Sequence, residues 1–220
     1  MGQSRGRTRA RCVALACIVI VVALAGCDWP FIHGATGNSG KALDAGFAPS
    51  AVPSLRRIWR FHPGGAIEAT PVTFHGIVYL AAGNGTLYAL DTTRVVNGAP
   101  AILWHRDYGL VATTTCPGNP TGLVASPAVR DDGHGNPLVY SYTPQGTLQE
   151  LDGRTGSVKW ESRVYTIPND GQNDYFSWAS PIVANGLVYV GTSSTCDTPF
   201  VPSAEKAYDQ DTGAVVGTYS

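Results

Sequence analysis

The chain has 220 residues, of which 44% are hydrophobic and only 14% are charged, and its formal net charge is −1. This balance excludes a typical nucleic-acid-binding protein, because such a protein needs a basic surface that displaces counterions from the phosphates. Glycine (26 residues) and proline (15 residues) are abundant. Frequent turns between short strands fit this composition better than long helices do, so we expect an all-β fold.

The N-terminus has the features of an export signal. Residues 5–11 alternate arginine with uncharged residues, and residues 12–25 form an uninterrupted apolar run. The run is shorter than the roughly 20 residues of a membrane-spanning helix. It ends in Leu-Ala-Gly-Cys at residues 24–27, which resembles the lipobox of bacterial lipoproteins. We therefore predict a signal peptide over residues 1–26 and a lipid on Cys27 that anchors the protein to a membrane of the bacterial cell envelope, outside the cytoplasm. An ordinary secretory signal with a chance cysteine is the alternative.

The next segment lacks regular periodicity. Residues 27–53 are rich in Gly, Ser, Ala and Pro, which predicts a flexible tether that holds the folded part away from the membrane. Residues 55–61 alternate basic with apolar side chains, as a half-buried strand does.

The remaining chain repeats one pattern three times, at intervals of about 55–60 residues. Each repeat opens with Ala-Thr-Pro or Ala-Ser-Pro, continues with a β-branched strand, and has a third strand that ends at an aspartate. A fourth strand ends at a tryptophan in the first two repeats, and Gly217 takes that place in the third. The third strand of the first repeat is apolar on both faces, which a propeller blade between two neighbours requires. We predict a β-propeller of four-stranded antiparallel blades over residues 54–220, with about three blades present at residues 66–106, 124–163 and 178–219.

The second repeat carries a family resemblance. Residues 151–160, Leu-Asp-Gly-Arg-Thr-Gly-Ser-Val-Lys-Trp, resemble the tryptophan-docking repeat of propellers of the pyrroloquinoline-quinone (PQQ) type, and residues 209–213 match it in part. The first repeat has a wider spacing between its aspartate and its tryptophan, which predicts an insertion around residues 94–101. The resemblance implies that tryptophans pack between adjacent blades, with stacking on a cofactor as the alternative. It assigns structural roles in the repeat to Asp91, Trp104, Asp152, Gly156, Trp160, Asp209 and Gly213.

The resemblance also implies a function. The repeats are similar to those of the quinoprotein alcohol dehydrogenases, including the enzymes for sugars and polyvinyl alcohol. This resemblance implies oxidation of CH–OH groups with PQQ and calcium. The sequence assigns no catalytic residue, because the adjacent cysteines, calcium ligands and catalytic aspartate of that family match no motif here. The alternative is a non-catalytic propeller scaffold, similar to the propeller lipoprotein of outer-membrane assembly. Because such propellers have more than three blades, we expect a partial or truncated copy, or a chain that needs a protein partner.

Three long loops are predicted on one face of the propeller, at residues 107–123, 165–178 and 193–204. The first and third carry Cys116 and Cys196, and two thiols in an exported protein predict a disulfide, with two separate thiols as the alternative. The second loop suits a cation or a sugar through its polar oxygens and aromatic rings, with a solvated loop as the alternative. Its candidate ligand residues are Asn169, Asp170, Asn173, Asp174 and Trp178. The histidines lack the spacing of a zinc site, and residues 131–136, Asp-Asp-Gly-His-Gly-Asn, resemble a metal site in composition but are predicted to form a turn, so we assign no metal site.

Overall fold

The computed structural model describes residues 28–34, 37, 39–40, 48–111, 120–166, 175–195 and 200–220. These residues form three antiparallel sheets, each with four strands in chain order, and one sheet has a short fifth strand beside them. The predicted all-β fold, a propeller with about three blades, is confirmed. Within the described residues, no helix is long and apolar enough to cross a membrane.

The strands follow the three predicted repeats. Blade 1 consists of β1 (Val72–Phe74), β2 (Ile77–Ala81), β3 (Thr86–Val96) and β4 (Ala99–Asp107). Blade 2 consists of β5 (Ala128–Asp131), β6 (Pro137–Tyr142), β7 (Thr147–Asp152) and β8 (Val158–Arg163). Blade 3 consists of β10 (Ile182–Ala184), β11 (Leu187–Ser194), β12 (Ala204–Asp209) and β13 (Val215–Tyr219), and the short β9 (Tyr175–Phe176) pairs with the end of β11. A 3₁₀ helix, Pro49–Ser54, precedes blade 1.

The two ends of each blade differ. The turns between first and second strands and between third and fourth strands form one end, which we call the turn face. The other end, the loop face, carries the turns between second and third strands and the links between blades. On this face the Tyr108 N–H donates to Gly85 O (2.9 Å) and the Val164 N–H donates to Gly146 O (2.9 Å), so each link begins beside a turn of its own blade.

Neighbouring blades share two hydrophobic clusters, which explains why their strands are apolar on both faces. The first joins blades 1 and 2 and includes Val72, Tyr79, Leu87, Trp104, Val129, Val139 and Leu151. The second joins blades 2 and 3 and includes Ala128, Tyr140, Leu148, Val183, Val188 and Tyr208. Burying a side chain of this size contributes about 1.5–3 kcal/mol.

The insertion in the first repeat extends the β3–β4 hairpin. Asn97 and Gly98 form its tip with φ angles of 51° and 78°, the pair of positive values that a tight hairpin turn needs. The strand register shifts between Asp91 and Val95, which absorbs the added residues.

The predicted strand over residues 55–61 is wrong for the described structure. This segment is irregular, and Leu55 and Ile58 are exposed. One main-chain hydrogen bond, from the Arg60 N–H to Gly98 O (3.0 Å), ties it to blade 1. An alternating pattern becomes a strand only where a neighbouring strand pairs with it, and no described strand lies there.

The predicted tether is corrected at its start. Residues 28–34, which we call the strap, pack against the innermost strands of the blades. Trp29 and Thr73 of β1 exchange two main-chain hydrogen bonds of 2.9 Å, and the Val129 N–H of β5 donates to Pro30 O (2.9 Å). Phe31 is 7% exposed within the cluster of blades 2 and 3. A bulky aromatic pair in a Gly- and Ser-rich segment was the signal for this docking.

Candidate functional site

The loop face carries a pocket of about 610 Å³ between blades 2 and 3. Its lining includes two tyrosines, Tyr165 and Tyr175, and two cationic residues, Arg163 and Lys206. The two tyrosine rings are stacked, with centroids 5.5 Å apart and an angle of 22° between their planes. Two cations beside a stacked aromatic pair suit a flat, anionic ligand.

The local sequence fixes the positions of these side chains. Tyr165 donates its hydroxyl to Pro144 O (2.9 Å), and its ring lies over Gly146, where an added Cβ would come within 2.6 Å of the ring. Gly146 also has a φ of 77°, so both the close ring and the backbone conformation require glycine at this position. Lys206 donates to Val164 O (2.5 Å), which leaves two more donors of its ammonium group to serve a ligand.

One buried hydroxyl lies behind the pocket wall. The ring of Tyr142 meets that of Tyr165 edge to face at 6.2 Å, and the Tyr142 hydroxyl makes no hydrogen bond within the described structure. Burial raises the pKa of Tyr142 well above its usual value, with smaller contributions from the hydroxyls of Tyr165 and Tyr208. Tyr142 is therefore neutral at physiological pH.

A second pocket of about 290 Å³ opens on the loop face beside blade 1. Glu68, Asn84 and Thr121 line it. Asn84 already donates to Pro63 O (2.8 Å) and accepts from the Thr86 N–H (3.1 Å), so its amide is committed to holding the turn.

The innermost residues of the blades form a chain of hydrogen bonds that the sequence reading missed. The Thr70 N–H donates to Ser126 Oγ (2.8 Å), and the Ser126 N–H donates to Ser180 Oγ (2.9 Å). The hydroxyl residue before the proline of each repeat thus ties one blade to the next. The signal was the recurrence of Thr or Ser at this position, which was used only to set the period.

The two tryptophans of the repeat lie between blades. Trp104 of blade 1 donates from Nε1 to Gly153 O of blade 2 (2.8 Å), and its ring covers Gly156. Trp160 of blade 2 makes the same contact with blade 3, donating to Gln210 O (3.1 Å) and covering Gly213. An added Cβ on Gly156 would lie 2.7 Å from the Trp104 ring.

The aspartates of the repeat hold tight turns. Asp152 Oδ1 accepts from the main-chain N–H groups of Arg154 and Thr155 and from the Thr155 hydroxyl, at 2.8–3.0 Å. Burial raises the pKa of Asp152, but these hydrogen bonds outweigh it and leave the pKa below its usual value. Asp209 and Thr212 repeat the arrangement, and Asp91 accepts from Thr93 in the extended hairpin.

Blades 2 and 3 also share a polar network that the sequence reading missed. Tyr140 donates to Glu150 Oε2 (2.6 Å) and accepts from Arg130 Nε (2.7 Å), while Arg130 reaches Asp211 of blade 3 (2.5 Å). Burial raises the pKa of Glu150, although its hydrogen bond from Tyr140 and the charge of Arg130 oppose this. The network lies toward the turn face, away from the pocket, so its role is to join blades.

Several predicted site residues lie outside the described residues. These are Cys27, Cys116, Cys196, Asn169, Asp170, Asn173 and Asp174. Trp178 is described and is 48% exposed, with its ring on Phe176 at 4.7 Å and its Nε1 donating to Ser194 O. It therefore packs on the base of its own loop and does not line the pocket.

Carboxylates in the described part of the chain are spread out. No three His, Cys, Asp or Glu side chains there come together as a metal-binding group. Asp131 and Asp132 form the β5–β6 turn, where their oxygens accept hydrogen bonds from the N–H groups of Gly133, His134 and Asn136. The metal-like composition of this segment serves the turn.

The chain is similar to part of a quinone-dependent alcohol dehydrogenase. No protein-family model matches the chain. The dehydrogenase subunit of the quinone alcohol dehydrogenase of Gluconobacter oxydans is 30% identical over 129 residues. That match covers 56% of this chain and only 15% of the subunit, so the chain spans a small part of its curated relative.

Solved structures agree with this match. A europium-containing methanol dehydrogenase aligns with a TM-score of 0.68 and 21% identity, over 91% of this chain and 33% of the enzyme. The quinohemoprotein alcohol dehydrogenase of Comamonas testosteroni aligns with a TM-score of 0.67 and 24% identity, over 91% of this chain and 28% of the enzyme. The described blades have the fold of these dehydrogenases. At such identities the likeness establishes the fold alone.

Proposed function

We propose that this chain is an exported, lipid-anchored propeller of the quinone-dependent alcohol dehydrogenase type, and that it binds a quinone in the pocket between blades 2 and 3. The observation that carries the proposal is the 30% identity with a quinone alcohol dehydrogenase subunit over 129 residues. The apolar run of residues 12–25, followed by Cys27, supports export and lipid attachment.

The chemistry of the pocket supports a quinone ligand. PQQ is flat and carries carboxylates, so its rings could pack on Tyr175, which is itself stacked on the buried Tyr165, while Lys206 pairs with a carboxylate. A bound quinone would supply the acceptor for the two electrons of a CH–OH group in an alcohol or a sugar. The residues of this chain would bind and orient it.

Calcium does not fit the described residues. A calcium ion takes six to eight oxygen ligands, and the described carboxylates form no group that could provide them. Asp131 and Asp132 most resemble such a group in the sequence, but their carboxylates accept hydrogen bonds from main-chain N–H groups of the turn that they form. We therefore propose no role for calcium in this pocket.

A second candidate is a non-catalytic scaffold that docks other proteins. The outer strand β13 favours it, because Val215, Val216 and Tyr219 are exposed there on an unpaired sheet edge. Such an edge can accept a strand from a partner. This candidate needs no quinone.

Dye reduction by the full chain, purified from membranes, separates the two candidates. The protein is incubated with PQQ and divalent cations and then given primary alcohols, sugars or polyvinyl alcohol, with an artificial electron acceptor. We expect reduction that requires the quinone and falls at least about tenfold in Lys206→Met, since a charge-assisted hydrogen bond is worth about 1.5–3 kcal/mol. Lys159→Met, an exposed lysine on the turn face, should keep full activity. No quinone-dependent reduction of any substrate would favour the scaffold.

A further inference from the structure

The strap determines where the chain enters the propeller. Asp28, its first residue, accepts a hydrogen bond from the His75 N–H at Oδ1 (2.8 Å), and its other oxygen lies 3.8 Å from His75 Nε2. His75 belongs to the β1–β2 turn of blade 1. Asp28 is therefore held on the turn face, at the end of the propeller opposite the pocket.

The rest of the strap is held as firmly. Trp29 extends the inner edge of blade 1 through its paired hydrogen bonds with Thr73. The carbonyl oxygen of Pro30 accepts a hydrogen bond from the inner strand of blade 2, and Phe31 is buried in one cluster with Ala128 and Val183 of blades 2 and 3. Residues 28–31 are therefore held by contacts with all three blades.

These contacts restrict how far the fold can move from its anchor. A flexible segment over residues 27–53 would let the fold wander roughly 25–30 Å from its anchor. Instead, Cys27 directly precedes Asp28, and adjacent Cα atoms are only about 3.8 Å apart. Asp28, one residue after the proposed lipidation site, therefore lies at the turn face.

We propose that the strap fixes the lipid-bearing end of the chain to the turn face, so that the turn face lies against the bilayer and the loop face, with its pocket, points into the aqueous space. This inference rests on the lipid attachment proposed above. The turn face carries charges of both signs, with Asp132 and Asp152 beside Arg154 and Lys159 and with Asp211 paired to Arg130, so the acyl chains and not a net surface charge supply the attachment. A surface of zwitterionic phospholipid is the partner that fits.

Quenching by nitroxide-labelled lipid tests the orientation. The full chain is exported from a bacterial host, its N-terminal mass is measured, and it is reconstituted into phosphatidylcholine vesicles. A fluorophore is placed on Arg154→Cys at the turn face or on Ser203→Cys at the loop face, both exposed positions. The chain without an added cysteine gives the background from Cys116 and Cys196.

We expect the label at position 154 to be quenched at least about threefold more than the label at position 203, because a five- to six-residue strand, about 17–20 Å long, separates the two faces. Trp29→Ala with Phe31→Ala should release the strap and bring the ratio toward one. Phe200→Ala, which removes an aromatic that is 81% exposed, should leave the ratio unchanged.

The outcomes distinguish the two proposals. An acylated chain with equal quenching at both positions overturns the orientation and leaves the lipid anchor standing. A chain whose mass shows no acyl group overturns the anchor and the orientation together, and it leaves the quinone site to its own test.

Discussion

Gly156→Ala probes the docking of one blade on the next. The added methyl group would lie 2.7 Å from Cδ2 of the Trp104 ring, and the residue has a φ of 73°. The positive φ costs about 1–2 kcal/mol for a residue with a Cβ, and overpacking against a buried ring costs about 1–3 kcal/mol more. We therefore expect a loss of about 2–5 kcal/mol in the free energy of unfolding.

Gly186→Ala is the matched control. Gly186 has nearly the same φ of 79°, but its added Cβ would have nothing within 4 Å, so only the backbone cost of about 1–2 kcal/mol applies. Urea unfolding followed by circular dichroism measures both variants. A double-mutant cycle adds Trp104→Ala, which itself should cost about 3–5 kcal/mol and which removes the ring that the new methyl group meets.

The cycle should show a coupling of at least about 1 kcal/mol, because Gly156→Ala meets no ring once Trp104 is gone. Equal losses for Gly156→Ala and Gly186→Ala, together with an additive cycle, would refute the contact between Trp104 and blade 2. The ring would then be stabilising blade 1 alone.

Three further predictions concern charge and covalent links. Arg130→Met should lower the free energy of unfolding by about 3–5 kcal/mol at pH 7, because Glu150 stays buried without its cation. The loss should be smaller at pH 5, because burial already raises the pKa of Glu150 and the carboxylate takes up a proton there. Urea titrations that give the same loss at both pH values would contradict this. Asp152 has a lowered pKa in the fold, so its charge stabilises above its unfolded pKa of about 3.9 and this contribution disappears as the pH falls through the folded pKa. Asp152→Asn should therefore destabilise more at pH 7 than at pH 3, and the reverse order would show that the sign is wrong. Cys116 and Cys196 should give no free thiol in the unreduced, denatured mature protein, and a count of two thiols would exclude a disulfide worth about 4–5 kcal/mol.

The repeat made the fold predictable from sequence. Apolar side chains on both faces of a short strand require a neighbour on each side, and the wide spacing before Trp104 located the hairpin extension. The strand predicted over residues 55–61 was wrong, because an alternating pattern indicates a half-buried strand only where a partner strand pairs with it.

The strap and the pocket were less accessible to sequence reasoning. Trp29 and Phe31 stand in a segment whose composition predicts a tether, and only the three-dimensional path brings them to the propeller axis. Tyr165 and Lys206 are 41 positions apart (206 − 165) in different blades, so nothing local to either residue marks a shared pocket. The loop face as a whole was predictable, because strand connectivity fixes which turns share an end of the propeller.

Equilibrium dialysis of PQQ against the full chain tests the proposed quinone site between blades 2 and 3 without need of substrate or turnover. We expect saturable binding of about one quinone per chain, at least about tenfold weaker in Lys206→Met and unchanged in Lys159→Met. Binding that does not saturate, or that Lys206→Met leaves unchanged, would contradict a quinone site between blades 2 and 3.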